Sequence, residues 1–140
     1  MTSTSSSSEP NLDGWKRYAE DVLADRVIVG EYVRKHVETF IDEILDDGLR
    51  RWFDTAEAIR FLEFIQTFTS HTRGEWAGRP FILSDWQAYL VANLFGWKER
   101  GTDLRRYRTA ALFVARKSGK TQLAAAIAVA MAVLDDDAAG

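Results

Sequence analysis

Cysteine is absent from the 140 residues, which removes disulfides and thiolate metal sites at once and fits a reducing cytosol. Charge of one sign is lacking too. Eighteen basic and 21 acidic residues leave a net charge of −3, so no global basic field announces nucleic acid and any DNA contact has to be local. The N-terminus has neither a basic n-region nor an apolar h-region, so no secretory signal is read there. The most apolar run, Leu123 to Leu134, is alanine-rich and too short to span a bilayer, and no membrane association is expected.

What is present is a core. The chain is 46% hydrophobic and carries five Trp, four Tyr and eight Phe, enough for one modest domain. Residues 1–10 form a Ser/Thr-rich tail expected to be disordered, and residues 11–73 read as a helical region. Behind an Asp13 N-cap, Trp15, Tyr18 and Val22 fall at helical spacing. Val29, Val33, Val37, Phe40, Ile41, Ile44 and Leu45 then mark a second helix, stopped at Gly48. His36 flanks that stripe and reads as a helix-flank histidine rather than a metal ligand, because no second histidine or carboxylate cluster surrounds it. Asp54-x-x-Glu57 resembles a capping box opening a third helix, with Ala58, Ile59, Leu62, Ile65 and Phe68 on its apolar face, widened by Phe61 and Phe64.

A loop with two glycines and Pro80 leads to Ser84-Asp-Trp-Gln87, a second capping box. Gln87 has two readings: a cap partner only, or an amide that answers the adjacent donor and acceptor of adenine. Its helix ends at Gly96, which permits a left-handed turn. Arg105-Arg-Tyr-Arg108 reads as a solvated loop, with phosphate or DNA-backbone contact as the alternative.

The stretch around which the chain is organised comes next. Ala110 to Ala115 reads as a buried strand, Arg116-Lys-Ser118 as a polar turn, and Gly119 as the start of an alanine-rich helix running to Leu134. Strand, turn and helix in that order suit a phosphate site: amides converge in the turn and the helix N-terminus adds partial positive charge. Lys120 can reach the β- and γ-phosphates and the Thr121 hydroxyl can take a Mg²⁺ position. Against this, Val114 stands where the P-loop pattern wants glycine, and a basic strand-to-helix turn is the other reading. The final helix is apolar all round, which implies burial on most faces. Asp135, Asp136 and Asp137 are consecutive and cannot converge as a metal cage, so they read as a solvated acidic segment.

Taken together, Gly74-Glu-Trp-Ala-Gly-Arg-Pro-Phe81, Leu83-Ser-Asp-Trp-Gln87, Leu94-Phe-Gly-Trp97, Arg105-Arg-Tyr-Arg108 and Val114-Ala-Arg-Lys-Ser-Gly-Lys-Thr121 resemble, in order, the N-terminal part of the large terminase subunit of tailed double-stranded DNA bacteriophages. The resemblance implies an α/β, P-loop NTPase-type fold, in which a helical N-terminal region precedes a strand–P-loop–helix unit. Residues 74–140 would be the start of the ATPase domain, ending before the Walker B carboxylates and without the nuclease domain. It implies ATP and Mg²⁺ as cofactors. Gln87 would contact adenine, Ala115, Arg116, Lys117, Ser118, Gly119, Lys120 and Gln122 the phosphates, and Thr121 the magnesium, with Arg116 as the loop arginine that senses phosphate. No catalytic residue is expected within these 140 residues, so ATP hydrolysis would be negligible here. For the whole protein the resemblance implies an ATP-driven motor with an endonuclease, acting in the bacterial host cytoplasm on double-stranded viral DNA. Its partners would be the small terminase subunit, the portal protein and further copies in a ring. A helicase-like P-loop motor, or a helical binding module that uses no nucleotide, are the competing readings.

Overall fold

The structure is a computed structural model that describes residues 9–46, 51–68, 81–101, 104–107 and 120–134, Lys120 by its backbone alone. The order is α1 (Gly14–Leu23), α2 (Glu31–Ile44), β1 (Arg51–Phe53), α3 (Thr55–Phe68), α4 (Asp85–Gly96), β2 (Trp97–Glu99) and α5 (Lys120–Leu134). The tail through residue 8, the Gly48 stop, the Gly74–Pro80 loop, the Ala110–Ala115 strand and Asp135–Asp137 lie outside the described residues. The described part is therefore helical with one small sheet.

Helix α4 is the centre. Ala88, Tyr89, Val91, Ala92 and Phe95 are buried on it, Trp86, Leu90 and Leu94 are half-buried, and α1 and α3 pack against it. A helix apolar on every side needs cover on every side. Helix α1 supplies Trp15, Ala19 and Val22 to the core, and α3 supplies Ala58, Phe61, Leu62 and Ile65. Of the stripe expected on α2, Val37 and Phe40 are buried, whereas Val33 and Leu45 are exposed. The described residues give that helix a narrower seat than its apolar face could cover.

Rings fill the centre. Phe40 meets Trp15, Phe53, Tyr89 and Trp97 edge-on, with centroids 5.4 to 6.1 Å apart, in the geometry that ring quadrupoles favour. Phe53 and Trp97 face each other across β1 and β2, an antiparallel pair that sequence periodicity did not announce. Gly96 follows from that contact: a Cβ there would overlap the Phe53 ring. Its expected left-handed turn is absent, since among the described glycines only Gly101 has positive φ. Close approach, not backbone conformation, requires the glycine.

The caps differ from expectation in instructive ways. Asp13 does occupy the N-cap position of α1, but its side chain caps nothing. Asn11 Oδ1 accepts from the Gly14 N–H at 2.9 Å instead, while Asp13 pairs with Arg17 at 3.3 Å. At the other end Asp25, with φ of 59°, makes the left-handed exit, and the Arg26 N–H returns to the Asp21 carbonyl at 2.8 Å. At α3, Asp54 Oδ1 accepts from the Glu57 N–H at 3.1 Å. The reciprocal half of that box cannot form, because the Asp54 N–H is already given to the Gly96 carbonyl at 2.7 Å. Glu57 turns to Arg60 at 2.7 Å.

One buried polar side chain holds three segments together. Gln66, 1% exposed on α3, accepts from the N–H groups of Asn11 and Leu83, each at 2.8 Å, and donates to the Asn11 carbonyl at 2.9 Å and the Leu62 carbonyl at 3.0 Å. The amide is saturated. Against this, α5 is held on one side only: Leu123, Ala126 and Ala130 are buried facing α3, while Val129, Met131 and Val133 are exposed. The expected all-round burial is not met among the described residues, because α3 is the neighbour they provide.

Replacing Gln66 by leucine keeps the volume and strands three loop backbone groups, each costing about 1–3 kcal/mol when buried without a partner. Gln66→Leu should therefore lose roughly 3 kcal/mol or more, read as a lower denaturant midpoint at unchanged slope.

Candidate nucleotide-binding site

Gln87 lies in the first turn of α4. Ser84 is the N-cap in an extended conformation, and the capping box closes in both directions. The Ser84 N–H donates to Gln87 Oε1 at 3.0 Å. Gln87 is only 7% exposed, and among the described residues its Nε2 has no hydrogen-bond partner. The amide is thus turned one way by its cap, with the nitrogen left over.

The turn that carries Gln87 is itself clamped from the N-terminal arm. Asn11 Nδ2 donates to the Leu83 carbonyl at 3.0 Å and to Asp85 Oδ1 at 2.9 Å. Arg17 grips the Asp85 carboxylate with both Nε and Nη2, at 2.7 and 2.9 Å. That fork, then the Asn11 bond, holds the Asp85 carboxyl below its usual range, and the same fork raises Arg17. Gly14 makes room, since a Cβ there would overlap both Asn11 and Asp85.

Of the other expected site residues, Ala115, Arg116, Lys117, Ser118 and Gly119 lie outside the described residues. Lys120 opens α5, Thr121 is exposed in its first turn, and Gln122 is half-buried. Three His, Asp or Glu side chains do not converge anywhere among the described residues, so a metal at Thr121 would find no carboxylate cage there.

Two of the arginines before the expected strand are half-buried against aromatic rings rather than extended on a solvated loop. Arg105 lies over the stacked rings of Phe95 and Phe61, 5.0 and 5.6 Å from their centroids. Arg106 lies against Trp97 and Tyr107 and pairs with Glu43 at 2.9 Å. Hydrogen bonds from Glu99 N–H to the Leu104 carbonyl (2.8 Å) and Arg106 N–H to the Trp97 carbonyl (2.9 Å) lay this stretch back along β2. Both guanidinium groups are structural pins.

Residues 85–140 match the family of the terminase large subunit, ATPase domain. The resemblance carried by the ordered motifs holds for this segment. The similarity to a terminase ATPase domain covers these 56 residues and begins at the first residue of α4. No curated protein and no solved structure matches the chain.

The matching segment meets the preceding helices at a concavity of about 220 Å³, lined by Tyr32, Lys35, His36, Thr39 and Glu43 from α2 and by Asn93, Arg106 and Tyr107. Neither Gln87, Thr121 nor Gln122 lines it. His36 Nδ1 lies 2.8 Å from the Tyr89 hydroxyl, the partner that its place beside the apolar stripe concealed. Burial raises Tyr89, which stays protonated. Burial, then the charge of Arg106, lowers the His36 pKa, with Glu43 opposing.

Sequence reasoning missed Asn11, Arg17, Gln66 and Asp85. Gln66 left one trace, a lone amide four residues after Leu62 on the buried face of α3.

Burial lowers the His36 pKa in the folded protein, so just below the ordinary value of 6.5 it binds fewer protons than the unfolded chain. This contribution to stability is complete above that pH and is lost as pH falls through the folded-state value. The urea midpoint should drop between pH 7.5 and pH 5, and drop by less in His36→Gln.

Proposed function

We propose that this chain contributes the adenine and phosphate contacts of an ATP-driven terminase motor. The observation that carries the reading is the Gln87 amide: buried, oriented by its cap, its nitrogen without a partner among the described residues, in the segment that matches the terminase ATPase family. The two sequence readings of Gln87 are compatible. Its oxygen has two lone pairs, one used by Ser84 and one left for the adenine amino group, while Nε2 donates to the neighbouring ring nitrogen. The amides of Ala115 to Gly119, which precede α5 in the sequence, with Lys120, would hold the β- and γ-phosphates, with Arg116 sensing them. Thr121 would ligate Mg²⁺, whose role is to neutralise phosphate charge. The sequence order and the helix that begins at Lys120 support this.

The whole protein then acts on double-stranded viral DNA in the host cytoplasm, as a ring working with a portal and a small subunit.

A ligand that binds the folded form alone stabilises it by about 2.7 kcal/mol at a hundredfold excess over Kd. Excess Mg-ATP should raise the melting temperature of the parent chain by several degrees and leave that of Lys120→Ala unmoved. An equal rise in both would end the phosphate assignment.

A further inference from the structure

The N-terminal arm precedes the family match, yet it holds the turn that presents Gln87. We propose that Arg17 and Asn11 are positioning residues that set base specificity by keeping the Gln87 amide from turning over. The inference rests on the adenine reading given above.

An amide discriminates adenine from guanine only while its orientation is fixed. Adenine offers an amino donor beside a ring acceptor, and guanine offers a carbonyl acceptor in the place of that donor. With Oε1 directed to Ser84, Gln87 matches adenine and opposes an acceptor to the guanine carbonyl. Rotated by half a turn, the same amide would greet guanine with its nitrogen. What prevents the rotation is the Ser84 N–H, and its position depends on the residues either side. Leu83 is held by Gln66 through its N–H and by Asn11 through its carbonyl. Asp85 is held by the Arg17 fork and by Asn11. Arg17 also reaches Asn11 Oδ1 at 3.2 Å, so the two clamp residues brace each other. Arg17 and Asp85 both keep partial exposure.

The test is calorimetry of the 140-residue chain with ATP, GTP and inorganic tripolyphosphate, each with Mg²⁺, on the parent, Arg17→Ala, Arg17→Lys, Asn11→Ala and Gln87→Ala, with thermal melts alongside. The parent should prefer ATP over GTP. Arg17→Ala and Asn11→Ala should lower that preference about tenfold, as Gln87→Ala does, with tripolyphosphate affinity unchanged. Arg17→Lys, which keeps charge without the fork, should fall between, and it decides the matter should Arg17→Ala not fold. An undiminished preference in the Arg17 variants, with loss in Gln87→Ala, would overturn the clamp and leave the adenine reading standing. Parallel loss of tripolyphosphate binding would make the effect a general loss of structure and also overturn it. A parent without preference, unaffected by Gln87→Ala, removes the adenine reading and the clamp with it.

Discussion

A saturated amide in a dry place is what the architecture turns on. Gln66 is buried to 1% and spends its hydrogen-bonding capacity on the backbone of two loop segments and of its own helix. Those segments, around Asn11 and Leu83, belong to no sheet and would otherwise bury unpaired N–H and C=O groups, which folded proteins rarely tolerate. One side chain does what a strand ladder does elsewhere. It fixes the arm to α3, and both to the start of α4, so the helices need little more than ring packing to find their register.

A second constraint governs the approach to the P-loop sequence. The chain leaves β2, turns at Gly101 and returns with Arg105 and Arg106 laid on aromatic faces. Cations over rings gain about 0.5–2 kcal/mol, more as water is removed. The Arg106 pair with Glu43 adds a link to α2, in a half-buried setting where removing one partner costs more than the pair itself contributes. Tyr107 therefore begins the next segment from a defined position relative to the N-terminal helices.

The helices were legible because their apolar residues recur at three and four; Trp15, Ala19 and Val22, or Phe61, Leu62 and Ile65, could face only inward. The Ser84–Gln87 box was legible for the same local reason, and it forms. The sheet was not, because three residues per strand carry no period, and Phe53 opposite Trp97 is a contact between residues 44 positions apart. The clamp was hidden likewise. Nothing near Arg17 in the sequence names Asp85, and Asp13, the local candidate, proved the weaker partner at 3.3 Å against 2.7 Å. For the site, the cap that orients Gln87 was written in four adjacent letters, whereas the residues that hold the cap still came from the far end of the chain.

That division has a physical consequence for how a base-recognition turn can work. A capping box alone is worth about 1 kcal/mol, too little to keep an amide in one orientation against a ligand that would gain from the other. Orientation becomes firm only when the backbone donor that sets it cannot move. Here Leu83 and Asp85, the neighbours of Ser84, are each tied to groups more than 15 residues away. Local sequence chooses which atom of Gln87 faces the cap, and tertiary packing makes that choice expensive to reverse.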